Sequence, residues 1–252
     1  TLAMRGLHDG GMRGNYSQKE KVQILQNAIN DQRVILKKYI DKPIEKIPQI
    51  FIPYKEAQDL YEEGLNVPED VTLVWVDDNY GYIKRLSNPQ EQKREGRAGV
   101  YYHLSYLGAP HDYLWINTTP PVLMYEQLKR AYDFGADRYW LLNVGDIKPM
   151  ELGVTTFFSM AYDLEKFNFD NINEFQTDFL CEIYGDKYRT TFQRMLDNYY
   201  RLAWSRKPEF MGWEREWDVN KNLERLGDVE YSFDNHNDAR YRLADYKAIS
   251  DK

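Results

Sequence analysis

The stretch Val71-Thr72-Leu73-Val74-Trp75-Val76-Asp77-Asp78-Asn79 decides how the fold is read. Its first six residues are apolar or β-branched, and residues 71–77 read as a strand. Asp and Asn then mark a turn, because their short side chains bond the backbone next to them. Similar runs, rich in Ile, Val, Leu, Tyr or Trp, recur at residues 1–5, 49–54, 98–107 and 138–144.

Helical patterns fill most of the gaps. Ser17-Gln18-Lys19-Glu20 fits a capping box, and Val22, Leu25, Ile29 and Leu36 follow at roughly helical spacing. Residues 56–63 make a short helix candidate that stops at Gly64. Pro120 and Pro121 introduce a helix over 122–134, which Gly135 ends, and residues 150–162 follow the last strand as another.

Strand alternating with helix argues for a parallel sheet joined by helical crossovers. A complete (β/α)8 barrel takes ~250 residues, about 31 per unit. Strand starts near residues 1, 49, 71, 98 and 138 therefore place about five units in residues 1–168. Five units leave two readings: a barrel whose first units lie upstream, or an open doubly wound sheet. The opening Thr1-Leu2-Ala3-Met4 has neither an initiator Met nor a signal peptide, and favours the first. The expected fold class is α/β, part of a (β/α)8 TIM-type barrel of about five βα units followed by an α-helical region.

The pattern changes after Phe167. Phe175, Phe179, Ile183, Phe192, Leu196 and Leu202 suggest amphipathic helices broken at Gly185, with further helix candidates at 219–226 and 237–249. Residues 1–168 are expected to be the C-terminal part of a barrel catalytic domain, and 169–252 the start of a helical bundle.

Composition removes several function classes. The 252 residues carry a formal net charge of −7, which repels nucleic acid and anionic membranes. One cysteine, Cys181, excludes a disulfide framework and a Cys-based zinc cluster. No apolar run reaches the ~18–20 residues of a membrane span. P-loop, GxGxxG, GxSxG and HExxH motifs are absent, and His8, His103, His111 and His236 have no metal-ligand spacing. No cofactor is expected. Aromatic residues reach 15%, with 21 Tyr, which offer an apolar face and a hydroxyl together. Asn15-Tyr16-Ser17 and Asn117-Thr118-Thr119 match the N-glycosylation pattern.

In parallel β/α folds the active site lies at the C-terminal ends of the strands. That rule selects Arg5, Gly6, His8 and Asp9 after the first strand, Tyr54, Lys55 and Glu56 after the second, and Asp77, Asp78, Asn79 and Tyr80 after the third, then His103, Ser105, Tyr106, His111 and Asp112 on and after the fourth, and Asn143, Asp146, Lys148 and Glu151 after the fifth. Successive strand residues face opposite sides, so one of Asp77 and Asp78 points to the rim and the other braces a loop or a neighbouring strand. Carboxyls at such a rim are what glycoside hydrolysis needs: one protonates the leaving oxygen, the other activates water or attacks the sugar. The plainer reading makes the pair a turn and helix cap. His103 and Asn143 are either partners of sugar hydroxyls or satisfied core and loop residues. Asp146 and Glu151 equally suit a loop and a helix first turn. Arg5, Lys55 and Lys148 are strand-end cations that either grip an acidic sugar or form surface ion pairs.

The run Trp75-Val76-Asp77-Asp78-Asn79-Tyr80-Gly81-Tyr82-Ile83, together with residues 99–118 (Gly99-Val100-Tyr101-Tyr102-His103-Leu104-Ser105-Tyr106 and onward) and Leu142-Asn143-Val144-Gly145-Asp146-Ile147-Lys148-Pro149-Met150-Glu151-Leu152, resembles glycoside hydrolase family 115. Residues 1–6 and Tyr54-Lys55-Glu56 look like two further blocks, in the family's order. The resemblance implies an inverting, metal-independent xylan α-1,2-glucuronidase, which removes glucuronic acid or its 4-O-methyl ether from glucuronoxylan. It makes Asp77 the first choice for a catalytic carboxylate, with Asp78 its neighbour in the same motif, and leaves Glu56, Asp146 and Glu151 open as further acid candidates. Arg5, Lys55, Asn79, His103, Tyr106, Asn143 and Asp146 become the substrate-binding candidates. The expected partner is an acidic oligosaccharide or polysaccharide, with no nucleic acid and no membrane span, and a homodimer stays open as an assembly state. The expected location is extracellular or periplasmic. A hexosaminidase-like hydrolase and a non-catalytic or inactive sugar-binding fragment are the rival readings.

Overall fold

The computed structural model describes residues 1–6, 10–108, 113–114, 116–205, 217–218, 224–225 and 247. In chain order these form helix α1 (Gln18–Tyr39), strand β1 (Ile50–Phe51), α2 (Glu56–Glu62), β2 (Thr72–Val76) and β3 (Ala98–His103). Next come α3 (Pro121–Asp133), β4 (Tyr139–Asn143), α4 (Glu151–Tyr162), α5 (Ile172–Tyr184) and α6 (Arg189–Ser205). The fold is α/β.

One sheet holds the strands in sequential order β1-β2-β3-β4. β1 with β2 and β2 with β3 are parallel, with Ile50 opposite Thr72 and Val76 opposite Tyr101. The backbone N–H groups of Arg138 and Leu104 bond the carbonyls of Ala98 and Asn143, so β3 and β4 also run the same way. Gly99 is required where β3 meets β4, since a Cβ there would lie 2.0 Å from the Tyr139 carbonyl oxygen. α2 crosses from β1 to β2 and α3 from β3 to β4, while a single 3-10 turn, Glu91–Lys93, lies between β2 and β3. Sequential parallel order of this kind is what barrel units build, and α-helices follow the last strand.

Two expected strands are shorter or absent. Residues 1–5 run extended beside β1 but form no ladder. Leu2 N–H reaches the Ile50 carbonyl at 2.8 Å, but Gln32 on α1 occupies both backbone groups of Ala3, at 3.1 and 2.6 Å. Backbone groups of successive extended residues face opposite sides, so Gln32 fills the edge of Ala3 that is turned away from β1. The run 49–54 keeps only Ile50–Phe51, since Pro53 has no N–H to give a ladder. The run 98–107 ends at His103, after which Tyr106 pairs antiparallel with Tyr113.

The described residues divide into two compact units. The first comprises Thr1–Asp78, Tyr82–Tyr102 and Leu128–Leu141. Its core joins Leu25 and Ile29 of α1 to Phe51, Leu73, Val74, Trp75, Val100 and Tyr102, all buried. Each such side chain contributes about 1.5–3 kcal/mol on removal from water. The capping box of α1 is complete, with Ser17 accepting from Glu20 N–H and the Glu20 carboxylate accepting from Ser17 N–H. Further along α1, Arg33 forks onto Asp70 at 2.9 and 3.0 Å and donates to Gln49 at 3.0 Å, tying the helix to the chain that enters β2.

The second unit comprises Asn79–Gly81, His103–Gln127 and Leu142–Lys252. Leu104, Met124, Met150, Phe157, Met160, Ile172 and Leu202 are buried in it. α5 packs on α4 and on α6, and the break between α5 and α6 falls at Gly185. A polar chain runs through these helices: Asn117 donates to the Tyr200 hydroxyl, Tyr200 to Gln176 at 2.8 Å, and Gln176 to Thr156 at 3.0 Å. Asn117, in the second glycosylation pattern, is thus tied into the packed interior.

The helix candidate at 219–226 is corrected in part: Glu224–Arg225 pairs antiparallel with Trp217–Asp218. The backbone bonds of a two-strand pair override the weak helical spacing there. The rest of that candidate lies outside the described residues, as does 237–249 apart from the helical Lys247. Among the described residues no helix is long and apolar enough to cross a membrane.

Candidate active site

In the first unit the candidates sit on the opening segment and past the C-terminal ends of β1 and β2. Past β1, Lys55 takes φ +51° as the chain turns into α2, which places Glu56 in that helix's first turn. Arg5 meets Glu56 with both its Nε, at 2.6 Å from Oε1, and an Nη, at 3.2 Å from Oε2. This is a bidentate, charge-assisted pair, and its side chains are only 24% and 27% exposed. Tyr54 lies beneath both cations, with Arg5 5.5 Å and Lys55 5.0 Å from its ring centre. The Tyr54 ring stands 6.5 Å from that of Tyr101 on β3.

Asp77 follows β2 directly and is buried, at 4% exposure. Its N–H bonds the Tyr101 carbonyl at 3.3 Å, and it forms an antiparallel bridge with Ile83. Asp78 behaves differently. Its N–H donates to the Tyr82 carbonyl at 2.8 Å, its carboxylate accepts from Tyr82 N–H at 3.1 Å, and Lys84 pairs with it at 3.2 Å. Asp78 therefore closes the turn that returns the chain towards Ile83. Asn79 at φ +72° and Gly81 at φ +92° supply the left-handed backbone this turn needs.

In the second unit His103 ends β3 and is buried, at 2% exposure. The Tyr106 ring stands edge-on to it at 5.9 Å. Tyr106 and Tyr113 exchange two backbone hydrogen bonds, at 2.8 and 2.9 Å, and Tyr80 stacks on Tyr113 at 5.5 Å. The Tyr113 hydroxyl donates to the Asn79 carbonyl. Asn143 ends β4, half-buried, and its carbonyl accepts from Leu104 N–H at 3.0 Å. Asp146 is exposed, and its N–H is held by the Leu114 carbonyl at 3.1 Å.

Lys148 and Glu151 face solvent and pair with each other at 2.7 Å. Hydrogen bonding and charge from Glu151 raise the Lys148 pKa above its usual value. This is the surface-pair alternative drawn from the sequence. His8, Asp9, His111 and Asp112 lie outside the described residues.

The geometry thus brings Arg5, Lys55 and Glu56 together around Tyr54, and links that group through Tyr101 to the backbone of Asp77. Separately, it gathers Asn79, His103 and Tyr106 around Tyr80 and Tyr113. Sequence reasoning passed over Tyr101 and Tyr113. Both come from aromatic-rich runs, but nothing in their spacing tells a ring at a site from a ring in a core. Among the described residues no three His, Cys, Asp or Glu side chains are grouped to hold a metal ion.

A family model described as glycosyl hydrolase family 115 matches residues 1–210. The chain belongs to this family. A solved family-115 structure, described as a 4-O-methyl-alpha-glucuronidase with specificity for decorated arabinogalactans, superposes with a TM-score of 0.88 at 44% sequence identity. The alignment covers 99% of this chain and 32% of that one, so the chain spans about a third of that protein's length. No curated protein matched the chain significantly. The family-115 match takes in every strand-end residue named above.

Proposed function

We propose that this chain carries part of the catalytic centre of an inverting α-glucuronidase, which removes glucuronic acid or its 4-O-methyl ether from glucuronoxylan. The observation that carries the reading is the family-115 match over residues 1–210, supported by 44% identity to a 4-O-methyl-alpha-glucuronidase along nearly the whole chain. In this reading the four parallel strands belong to a closed (β/α)8 barrel. Residues 1–168 are its C-terminal part, and residues 169–252 begin a helical bundle.

Asp77 is the favoured catalytic carboxylate. It is buried at a strand end, where low solvent exposure strengthens its interaction with charge that develops at the anomeric carbon. Asp78 braces the turn that holds Asp77. Glu56 is the second acid candidate, and its charge is balanced by Arg5. Inversion asks for two carboxyls roughly 6.5–9.5 Å apart, one to protonate the glycosidic oxygen and one to activate water on the opposite face. Arg5 and Lys55 are the cations for the sugar carboxylate. His103, Tyr106, Asn79, Asn143 and Asp146 are proposed to meet sugar hydroxyls and ring faces. No cofactor enters this scheme, and the enzyme is proposed to act outside the cytoplasm.

The solved relative's specificity favours a second substrate reading, in which the uronic acid decorates an arabinogalactan backbone. The family match carries either glucuronidase reading over a hexosaminidase-like one.

The test uses the full-length polypeptide that contains this chain. Wild type is expected to release 4-O-methylglucuronic acid from glucuronoxylan oligosaccharides, with the β-anomer appearing first by proton NMR. Asp77→Asn is expected to lower kcat by about 10²–10⁴-fold, the range for a lost acid–base group. Undiminished turnover by Asp77→Asn would remove Asp77 from the mechanism. Turnover of decorated arabinogalactan alone would select the second substrate reading, and turnover of N-acetylhexosaminides alone would overturn both.

A further inference from the structure

Behind the turn that follows Asp77, the first unit holds a charged cluster that the proposed chemistry does not use. Trp75 is buried two residues before Asp77, on the same strand face. The Arg85 guanidinium lies 3.9 Å from the Trp75 ring centre, a close stacking contact, and 5.7 Å from the Tyr61 ring. Its two Nη atoms fork onto Glu91, at 2.8 and 3.0 Å. Glu91 in turn accepts from the Tyr61 hydroxyl at 3.0 Å and from Asn88 N–H at 2.8 Å. The Trp75 indole N–H donates to Ser87 at 2.8 Å, on the same returning segment as Arg85. On the outer side, Arg85 also approaches Glu62 of α2 at 3.4 Å.

The segment from Asp77 to Glu91 leaves β2 and returns over it. Its tip is pinned by the Asp77–Ile83 bridge and by the Asp78–Tyr82 bonds. Its base is pinned to β2 by Arg85 and Ser87. A planar, bidentate fork fixes direction as well as distance, which an ammonium at the same place would not do.

We propose that Arg85 is a positioning residue for Asp77: by stacking on Trp75 while forking onto Glu91, it holds the returning segment against β2 and so fixes where the Asp77 carboxylate points. This rests on the glucuronidase reading above. A carboxylate displaced by about 1 Å loses up to roughly 10²-fold in rate, which sets the size of the effect.

The experiment compares Arg85→Lys, Arg85→Met and Glu91→Gln in the full-length hydrolase, alone and combined with Asp77→Asn. Arg85→Met and Glu91→Gln are expected to lower kcat by roughly 10- to 100-fold, with KM within about threefold of wild type. Arg85→Lys keeps the charge but loses the fork and is expected to recover only part of the rate. It also serves as the reading if Arg85→Met does not fold. Adding Arg85→Met or Arg85→Lys to Asp77→Asn is expected to cost little further, because a residue that acts through Asp77 has nothing left to position. A merely structural arginine would lower both backgrounds by the same factor, and that additivity would overturn the proposal. Wild-type kcat in a folded Arg85 variant would overturn it too, while leaving the role of Asp77 standing. Undiminished turnover by Asp77→Asn itself would remove both.

Discussion

At residue scale, pairs set apart side chains that look alike in the sequence. Asp77 and Asp78 are neighbours of one type, yet one is buried at a strand end and the other closes a turn with Tyr82 and Lys84. Arg5 and Lys148 are both strand-end cations. Arg5 is held in a bidentate, partly buried pair with Glu56, whereas Lys148 pairs with Glu151 in open solvent. If Arg5 shares its charge with the substrate carboxylate, Arg5→Ala in the full-length enzyme should erase most of its preference for the free uronic acid over the methyl ester. The expected loss is about 10- to 100-fold in kcat/KM, the value of one charge-assisted hydrogen bond. An unchanged preference would assign the carboxylate to another cation. The Glu91 cluster has its own pH signature. Burial pushes the Glu91 pKa up, but the bonds from Arg85, Asn88 and Tyr61 outweigh it and leave the net value below 4.5. A depressed folded pKa means that its stabilisation is present above about pH 4.5 and is lost as pH falls towards the lower folded value. Burial and the Glu91 charge push Tyr61 up to about 12, so its share is present below pH 10 and is lost as pH rises from 10 to 12. Thermal melts of wild type and Glu91→Gln across both windows should show the variant losing less at each edge.

At element scale, local signals and long-range contacts divide the work. The capping box at Ser17 and Glu20 is written in four consecutive residues and forms as read, so α1 starts where the sequence says. Ser17→Ala should destabilise the protein by about 1 kcal/mol, measured by denaturant unfolding, with no change in activity. The strand read over residues 1–5 shows the opposite case. Its composition is right for a strand, but Gln32, on another element, fills the edge of Ala3 turned away from β1. Among the helices, Tyr200 sits within the buried polar chain from Asn117 to Thr156, and burial raises its pKa above the usual tyrosine value. Tyr200→Phe removes one donor and leaves Gln176 and Asn117 short of a partner. The expected cost is about 1–3 kcal/mol in the same unfolding experiment, and a cost near zero would mean that water replaces the hydroxyl.

At the scale of the whole molecule, the buried centre of the sheet should be its most persistent part. Amide hydrogen exchange should be slowest for β2 and β3, whose Leu73, Val74, Val100 and Tyr102 are essentially inaccessible, and faster for residues 1–6. Equal rates across the two would show that the extended opening segment is as firmly held as the ladder. The sequence by itself determined the α/β class, the order of β1 to β4 and of α1 to α6, the α1 cap, the break at Gly185 and the family, because each rests on periodicity, turn chemistry or linked motifs along the chain. It also brought Asp77, His103 and Asn143 to strand ends, since a strand's end is a local property. Only the tertiary structure decided that Asp78 is a brace, that Arg5 and Glu56 share charge, and that Arg85 stacks on Trp75 while it forks onto Glu91. Those facts depend on which side chains meet across elements that are distant in the chain or turned back on themselves, and no one-dimensional pattern encodes those distances.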